Sequence, residues 1–316
     1  MATTGGVTVR APAKINLALA VGPLRADGYH ELATVFHAVA VFDDLIAHEG
    51  EPGEGISIVI DGPRTEQVPT DGSNLAVRAA RLLAERVGLD PSDAPVRLRL
   101  RKGIPVAGGM AGGSADAAAA LVACDALWHT GLDREQLHEL AAELGSDVPF
   151  SLLGGTAIGN GRGERLTPAL ARGEYHWVVA LADHGLSTPA VYAEIDRLRA
   201  IGQVAEPDPE PQISDALMQA LRAGDAQALG ASLTNDLQPA ACSLDPTLER
   251  TLEVGRKVGA LGGMVSGSGP TTVFLARDST HALDLAVALT ASGVAADVRR
   301  AYGPVAGARL VESVRG

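Results

Sequence analysis

The sequence predicts an α+β protein of two domains, and three observations carry that prediction. Short β-branched runs alternate with segments whose apolar residues recur at helical spacing, in both halves of the chain. A loop with four glycines, Pro105 to Ser114, runs directly into an alanine-rich helix. The length of 316 residues and a hydrophobic content of 46% suffice for two packed cores and argue against disorder.

Taken in order, Val7 to Arg10 and Ile15 to Val21 read as strands, with Pro12 breaking the run between them. Thr34 to Asp43 is a third apolar, β-branched stretch. Ile56 to Ile60 and Val96 to Leu100 alternate, as half-buried strands do. Asn74 to Val87 has helical periodicity, with Asp71 and Ser73 as candidate caps. Ser114 to Trp128 is the helix fed by the glycine loop, with Ser114 as its N-cap or a phosphate contact and Asp116 in its first turn. Asp133 opens another helix, with Gln136 placed for a capping box and Gly145 as the stop.

The second half begins with strand Trp177 to Leu181 and a helix from Pro189 to about Ala200. Glu206 to Pro211, "EPDPEP", reads as an exposed acidic loop rather than a domain linker, because helical patterns flank it. Helices at Asp215 to Ala223 and Thr247 to Gly259 lead to the loop "GGMVSGSGPTT", Gly262 to Thr272. Strand Val273 to Ala276, helix His281 to Ser292 and strand Ala295 to Arg300 complete the pattern. The domain break is expected near residue 168, giving 1–168 and 169–316.

A net charge of −12 argues against a nucleic-acid or anionic-membrane partner, though not against a small phosphate ligand, which needs only a local field. No apolar run is long enough to span a bilayer. Ile15 to Gly22, behind Arg10 and Lys14, has the outline of a signal peptide, but Asn16 interrupts it and a buried strand is the better reading. Cys124 falls in a helix pattern as a buried free thiol, and a cytoplasmic location fits two unpaired cysteines. The histidines show no metal-ligand spacing.

The glycine loop frees backbone N–H groups to approach a ligand, and the helix start behind it adds unpaired donors and the positive end of a dipole. That combination suits a phosphate. A Walker loop is excluded, because no Lys-Ser/Thr pair follows the glycines, and the dinucleotide fingerprint fits only in degenerate form from Ala107 to Gly112. Lys14 sits inside an apolar strand, which is costly unless the ammonium meets an anion. Asn16, two residues on, faces the same way. Asp147 precedes Val148-Pro149, where a helix N-cap and a catalytic carboxylate are equally compatible with the spacing. Neither Ser266 nor Ser268 stands in a nucleophile elbow, so a serine hydrolase is excluded.

The order of a Lys-bearing strand in "PAKINLAL", the loop "PVAGGMAGGSADAAAAL" and the later "SGSGP" resembles the GHMP small-molecule kinases. "DGYHEL", "NLAVRAARLL" and "LGSDVPF" extend the resemblance, over nearly the whole chain, to the branch acting on a cytidyl-linked methylerythritol.

The resemblance implies a ribosomal-protein-S5 domain-2-like N-terminal domain, a ferredoxin-like C-terminal domain, and ATP with Mg²⁺ meeting the substrate between them. The reaction implied is transfer of the γ-phosphate of ATP to the 2-hydroxyl of 4-(cytidine 5'-diphospho)-2-C-methyl-D-erythritol, for non-mevalonate isoprenoid biosynthesis. Lys14 and Asp147 match the catalytic pair, an ammonium that favours an ionised carboxylate able to accept the substrate proton. Asn16, Tyr29, His30 and Tyr192 match the substrate site, the tyrosines sandwiching the cytosine and His30 meeting its edge. Asn74 and Lys102 match positions lining the adenine pocket. Pro105, Val106, Ala107, Gly108, Gly109, Met110, Ala111, Gly112, Gly113, Ser114 and Ala115 match the phosphate loop, where Ala107, Ala111 and Ala115 replace the Gly, Gly and Ser of many members.

The metal ligand is unassigned, with Asp147 and Ser114 as candidates. A homodimer is compatible with the sequence. The competing readings are a kinase of mevalonate, homoserine or a sugar, and a nucleotide-binding module without catalysis.

Overall fold

The structure, a computed structural model, describes residues 6–91, 94–106 and 108–311. Ala107 therefore lies outside the described residues. Two long strands, β1 (Val7–Leu24) and β2 (His30–Glu49), form an antiparallel hairpin at the centre of the first sheet. They are followed by β3 (Ile56–Asp61), helix α1 (Leu75–Arg86), β4 (Val96–Arg101), helix α2 (Gly112–Trp128), helices α3 (Arg134–Leu144) and α4 (Val148–Leu153), and the hairpin of β5 (Thr156–Gly161) and β6 (Arg165–Pro168).

Pro12 does not break β1, contrary to the expectation from its missing N–H. The pairing with β2 shifts register between Pro12 and Ala13 instead, and again between Asn16 and Ala18. Bulges of this kind absorb an unpaired residue and re-aim side chains. Lys14 and Asn16 lie on the short stretch between the two irregularities.

The chain continues with β7 (Tyr175–Leu181), α5 (Thr188–Ala200), α6 (Asp215–Ala223), α7 (Ala226–Ala231), β8 (Thr234–Asn235), α8 (Gln238–Leu244), α9 (Thr247–Lys257), β9 (Gly262–Val265), β10 (Thr272–Ala276), α10 (Ser279–Ser292), β11 (Asp297–Gly303) and β12 (Arg309–Leu310). The second sheet is antiparallel, in the order β11-β7-β10-β9. The change from the first sheet to the second falls between β6 and β7, although the short β8 and β12 return to pair with β1.

β7 and β10 are buried on both faces, which explains their unbroken apolar sequences. Trp177, Val179, Val273 and Leu275 point into the core shared with the first sheet and α2. Val178, Ala180, Phe274 and Ala276 alternate with them and meet α5, α9 and α10. The second sheet is thus the layer that joins the two halves. His37, on β2, stands edge-on to Tyr175 and Trp177 in this seam, and burial pushes its imidazole down to about 3, so it is neutral.

The capping box of α3 forms as its sequence requires, Asp133 accepting from Gln136 N and Gln136 from Asp133 N, and Gly145 ends the helix. Two caps differ from expectation. Asn74, not Asp71 or Ser73, caps α1, its Oδ1 accepting from Ala76 N at 2.8 Å while Asp71 closes a local turn onto Ser73. Ser114 lies inside α2, whose cap is Ala111 in the left-handed region at φ 58°. The stretch 262–272 is not loop throughout, since Gly262–Val265 pairs with β10.

Candidate active site

α2 packs along β1 and β2 with a face of alanines, and small side chains let the helix approach the sheet closely. The junction ahead of it is held by a buried ionic cluster. Asp43, near the C-terminal end of β2, is fully buried. Its Oδ1 accepts from Gly103 N at 2.7 Å and Ile104 N at 2.8 Å, the first residues after β4. Its Oδ2 accepts from Lys102 Nζ at 2.5 Å, and the same ammonium donates to Asp116 Oδ2 at 2.7 Å. Asp116, expected as a tolerated acid in the first turn, is therefore a buried partner tying α2 to the end of β4. Its second oxygen, Oδ1, has no hydrogen-bond partner in the protein. Burial pushes the Asp116 carboxyl well up and the Asp43 charge adds to this, against the opposing pull of the Lys102 ammonium.

Between the two anchors the loop turns over. Gly109 adopts φ 69°, and a Cβ there would stand 2.8 Å from Gly269 O, so only glycine fits against the later "SGSGP" loop. Lys14 N donates to Met110 O, fastening the glycine loop to β1. Ala111 makes no side-chain cap bond, which leaves the first N–H groups of α2 to a ligand. An alanine held in the left-handed region costs about 1–2 kcal/mol, a strain commonly found at functional turns.

Lys14 is buried on β1. Its Nζ donates to Asn16 Oδ1 at 2.8 Å and lies 3.6 Å from Asp147 Oδ2 and 5.3 Å from the centre of the Phe36 ring. Asn16 in turn donates to Thr34 Oγ1 at 2.7 Å. Asp147 occupies the N-cap position of α4 without making a side-chain cap bond. Pro149 removes the N–H that a capping oxygen would take at the second helical position, so the carboxylate is left facing Lys14.

Three cavities run along this surface. The first is lined by Lys102, Pro105, Val106 and Gly108 of the loop region together with His184 and Arg299. His184 is held there between Asp183 and Asp245, both at 2.8 Å, and these carboxylates raise its pKa. The second, of 290 Å³, contains Lys14, Asn16 and Asp147 with Gly109 and Ala111 on one side and Gly267 and Ser268 on another. Asn235 fixes that last loop by donating to Val265 O and Gly267 O, both at 2.8 Å. The third, of 700 Å³, is lined by Tyr29, His30 and Tyr192 with Asp196 and Pro189. His30 Nε2 meets Asp196 Oδ1 at 3.0 Å, and its ring lies 5.1 Å from that of Tyr192. Burial raises the Tyr192 hydroxyl, and the Asp147 charge adds to it, so it stays a neutral phenol.

The structure thus brings together Lys14, Asn16 and Asp147 in one cavity and Tyr29, His30 and Tyr192 in the next. Tyr29 and Tyr192 face that cavity from different elements. Asn74 stands apart, with Oδ1 spent on Ala76 N and Nδ2 donating to Pro69 O. Lys102 borders the first cavity, but its ammonium donates to the buried Asp43 and Asp116. Sequence reading missed Asp43, Asp116 as an ion partner, and Arg162, which lines both the second and third cavities. The only signal for Arg162 was its place between two glycines in "GRGE". Among the described residues no cluster of three acidic, histidine or cysteine side chains forms a ready-made metal site, and no helix is long and apolar enough to cross a membrane.

Two family models match this chain, the GHMP kinases N terminal domain over residues 74–155 and the GHMP kinases C terminal over 217–295. With the buried-lysine strand, the glycine loop and the facing carboxylate in place, the chain belongs to the GHMP kinases, ATP-dependent phosphotransferases. Its relatives place it more finely. A 4-diphosphocytidyl-2-C-methyl-D-erythritol kinase of Thermobifida fusca is 58% identical, covering 96% of this chain and 98% of its own length. The protein of the same name from Streptomyces coelicolor is 55% identical, over 97% and 99%. A crystal structure of 4-(cytidine 5'-diphospho)-2C-methyl-D-erythritol kinase superposes with a TM-score of 0.73 at 34% identity, covering 93% and 98%.

The buried cluster yields a direct test. Lys102→Met leaves two carboxylates in the interior without their cation and is expected to cost about 3–5 kcal/mol of stability in urea unfolding, as removing one member of a buried ion pair does. The loss should shrink on acidification, because the Asp116 carboxyl is already raised and its protonated form suits the interior. A change within about 0.5 kcal/mol, the range of an ordinary surface substitution, would show that the cluster does not hold the loop.

Proposed function

We propose that this chain transfers the γ-phosphate of ATP to the 2-hydroxyl of 4-(cytidine 5'-diphospho)-2-C-methyl-D-erythritol, in cytoplasmic non-mevalonate isoprenoid synthesis. The observation that carries the proposal is the Lys14–Asp147 contact of 3.6 Å, in a cavity that touches the glycine loop on one side and the aromatic cavity on the other. ATP lies with its phosphates on the loop and the N-terminus of α2. The methylerythritol unit lies against Asn16, Lys14 and Asp147. The cytosine enters the outer cavity between Tyr29 and Tyr192, where His30 meets its edge.

In that arrangement Asp147 accepts the proton of the attacking hydroxyl, and the Lys14 ammonium faces the negative charge that develops on the oxygen. Phosphoryl transfer passes through a loose transition state, so alignment of the two substrates supplies most of the acceleration and a weak base suffices. Mg²⁺ neutralises polyphosphate charge when bound with ATP. Asp147 and Ser114 are the candidate oxygen donors that would hold such an ion, which takes few protein ligands when it binds with a nucleotide.

A kinase of mevalonate, homoserine or a sugar would leave the outer cavity without an occupant, since none of those alcohols carries a base. A non-catalytic nucleotide-binding module gives no reason to bury Lys14 beside Asp147.

Asp147→Asn should keep ATP and cytidyl-substrate binding while kcat drops about 10²–10⁴-fold, the usual worth of a positioned general base. Steady-state ADP release measures this, and near-normal turnover would remove Asp147 from the chemistry. Tyr29→Ala should weaken cytidyl-substrate binding by about 1–3 kcal/mol, the value of one base–aromatic stack, with ATP affinity retained. Equal substrate affinity in calorimetry would place the base elsewhere.

A further inference from the structure

The proposed substrate carries a diphosphate between its base and its reacting alcohol. With the base in the outer cavity and the alcohol beside Lys14 and Asp147, that diphosphate must cross from one cavity to the other. The residues common to both cavities are Leu32, Ser146, Arg162, Thr188 and Tyr192. Arg162 alone among these five carries a charge at neutral pH. Resting on the cytidyl reading above, we infer that Arg162 is the residue that binds the substrate's diphosphate and so selects cytidine diphosphate esters over uncharged nucleosides.

The local structure is built to hold this guanidinium at the crossing. Arg162 sits at the tip of the β5–β6 turn between Gly161 at φ 75° and Gly163 at φ 101°, conformations that glycine adopts without strain. Its backbone N–H donates to Glu164 Oε2 at 2.7 Å, which closes the turn. The turn rests on Phe36: a Cβ on Gly163 would stand 3.2 Å from that ring. The same Phe36 ring carries the Lys14 ammonium, so the turn is referenced to the catalytic strand. The guanidinium lies over the Tyr29 ring at 5.0 Å from its centre, which anchors it by a cation–π contact while leaving its N–H groups free for a ligand.

The charge balance points the same way. Glu164 takes the Arg162 backbone N–H but forms no ion pair with its guanidinium, and Glu31 is taken by Arg25 at 2.7 Å and Arg165 at 3.0 Å. His30 is matched by Asp196, and Lys14 by Asp147. Among the described residues no carboxylate lies within ion-pair distance of the Arg162 guanidinium. An arginine without a counter-ion on the wall between two cavities presents a fork suited to two phosphate oxygens.

The test is calorimetric binding of cytidine, cytidine monophosphate and cytidine diphosphate, with the ATP end filled by a non-hydrolysable ATP analogue. Wild type, Arg162→Gln and Arg162→Lys are compared. Wild type should bind the diphosphate about 10- to 100-fold more tightly than cytidine, the range expected of charge-assisted hydrogen bonds. Arg162→Gln should collapse that gap to about threefold or less while cytidine binding changes little, and Arg162→Lys should restore part of it, because a point charge replaces the fork. A gap that survives in Arg162→Gln overturns the assignment, as does a wild type that binds cytidine and its diphosphate equally. A wild type that binds none of the three overturns the cytidyl reading itself, and with it this inference.

Discussion

The site depends on one buried carboxylate. Asp43 holds the backbone N–H groups that begin the glycine loop with one oxygen and the Lys102 ammonium with the other. Lys102 passes the constraint to Asp116 and so to the N-terminal turns of α2. The strand before the loop and the helix after it are thereby fixed to the same point on β2. Because the cluster lies under the helix, it also dictates sequence above it: a Cβ on Gly112 would stand 3.2 Å from Lys102 Nζ. A glycine loop between two free ends would be a poor phosphate cradle, since ordering it on each binding event costs conformational entropy. Anchoring both ends in advance leaves only its tip to adjust.

Strand β1, which carries Lys14, meets this frame from the other side. Lys14 is tied to the loop through its own N–H on Met110 O, and its ammonium looks across at Asp147. The second sheet contributes the third wall. Val265 and Asn235 set the "SGSGP" loop against Gly109, where backbone comes close enough to exclude any side chain. Three separate pieces of chain therefore converge on one cavity, and each is fixed by buried polar contacts rather than by packing alone. Such contacts cost stability when incomplete, which is why they concentrate where geometry matters to function.

Much of this was legible in the residues. The alternation in Ile58 and Leu98 strands, the capping box at Asp133 and the alanine helix after the glycines rest on local periodicity, and the structure has them where that periodicity puts them. Lys14 stood out because an ammonium in an apolar strand demands a partner, and the alternation of side chains put Asn16 beside it. The residues that escaped were joined across long stretches of chain. Asp43 meets Lys102 from 59 positions away and Arg162 lies over Tyr29 from another hairpin, and neither pairing leaves a periodic trace. Pro12 misled because the rule against proline in strands is relaxed at bulges, and a bulge depends on the partner strand. The caps of α1 and α2 were misplaced for a similar reason: the cap is chosen by backbone conformation, which put Asn74 rather than Asp71 or Ser73 at the start of α1 and Ala111 rather than Ser114 at the start of α2.

The measurement that bears most directly on the whole is ADP release with ATP and Mg²⁺ in the presence of 4-diphosphocytidyl-2-C-methyl-D-erythritol, mevalonate, homoserine or galactose in turn. Turnover confined to the cytidyl substrate is the predicted result, because on the proposed reading that substrate alone would fill the aromatic cavity while placing an alcohol between Lys14 and Asp147. Turnover of one of the other alcohols, with the cytidyl substrate inert, would contradict it.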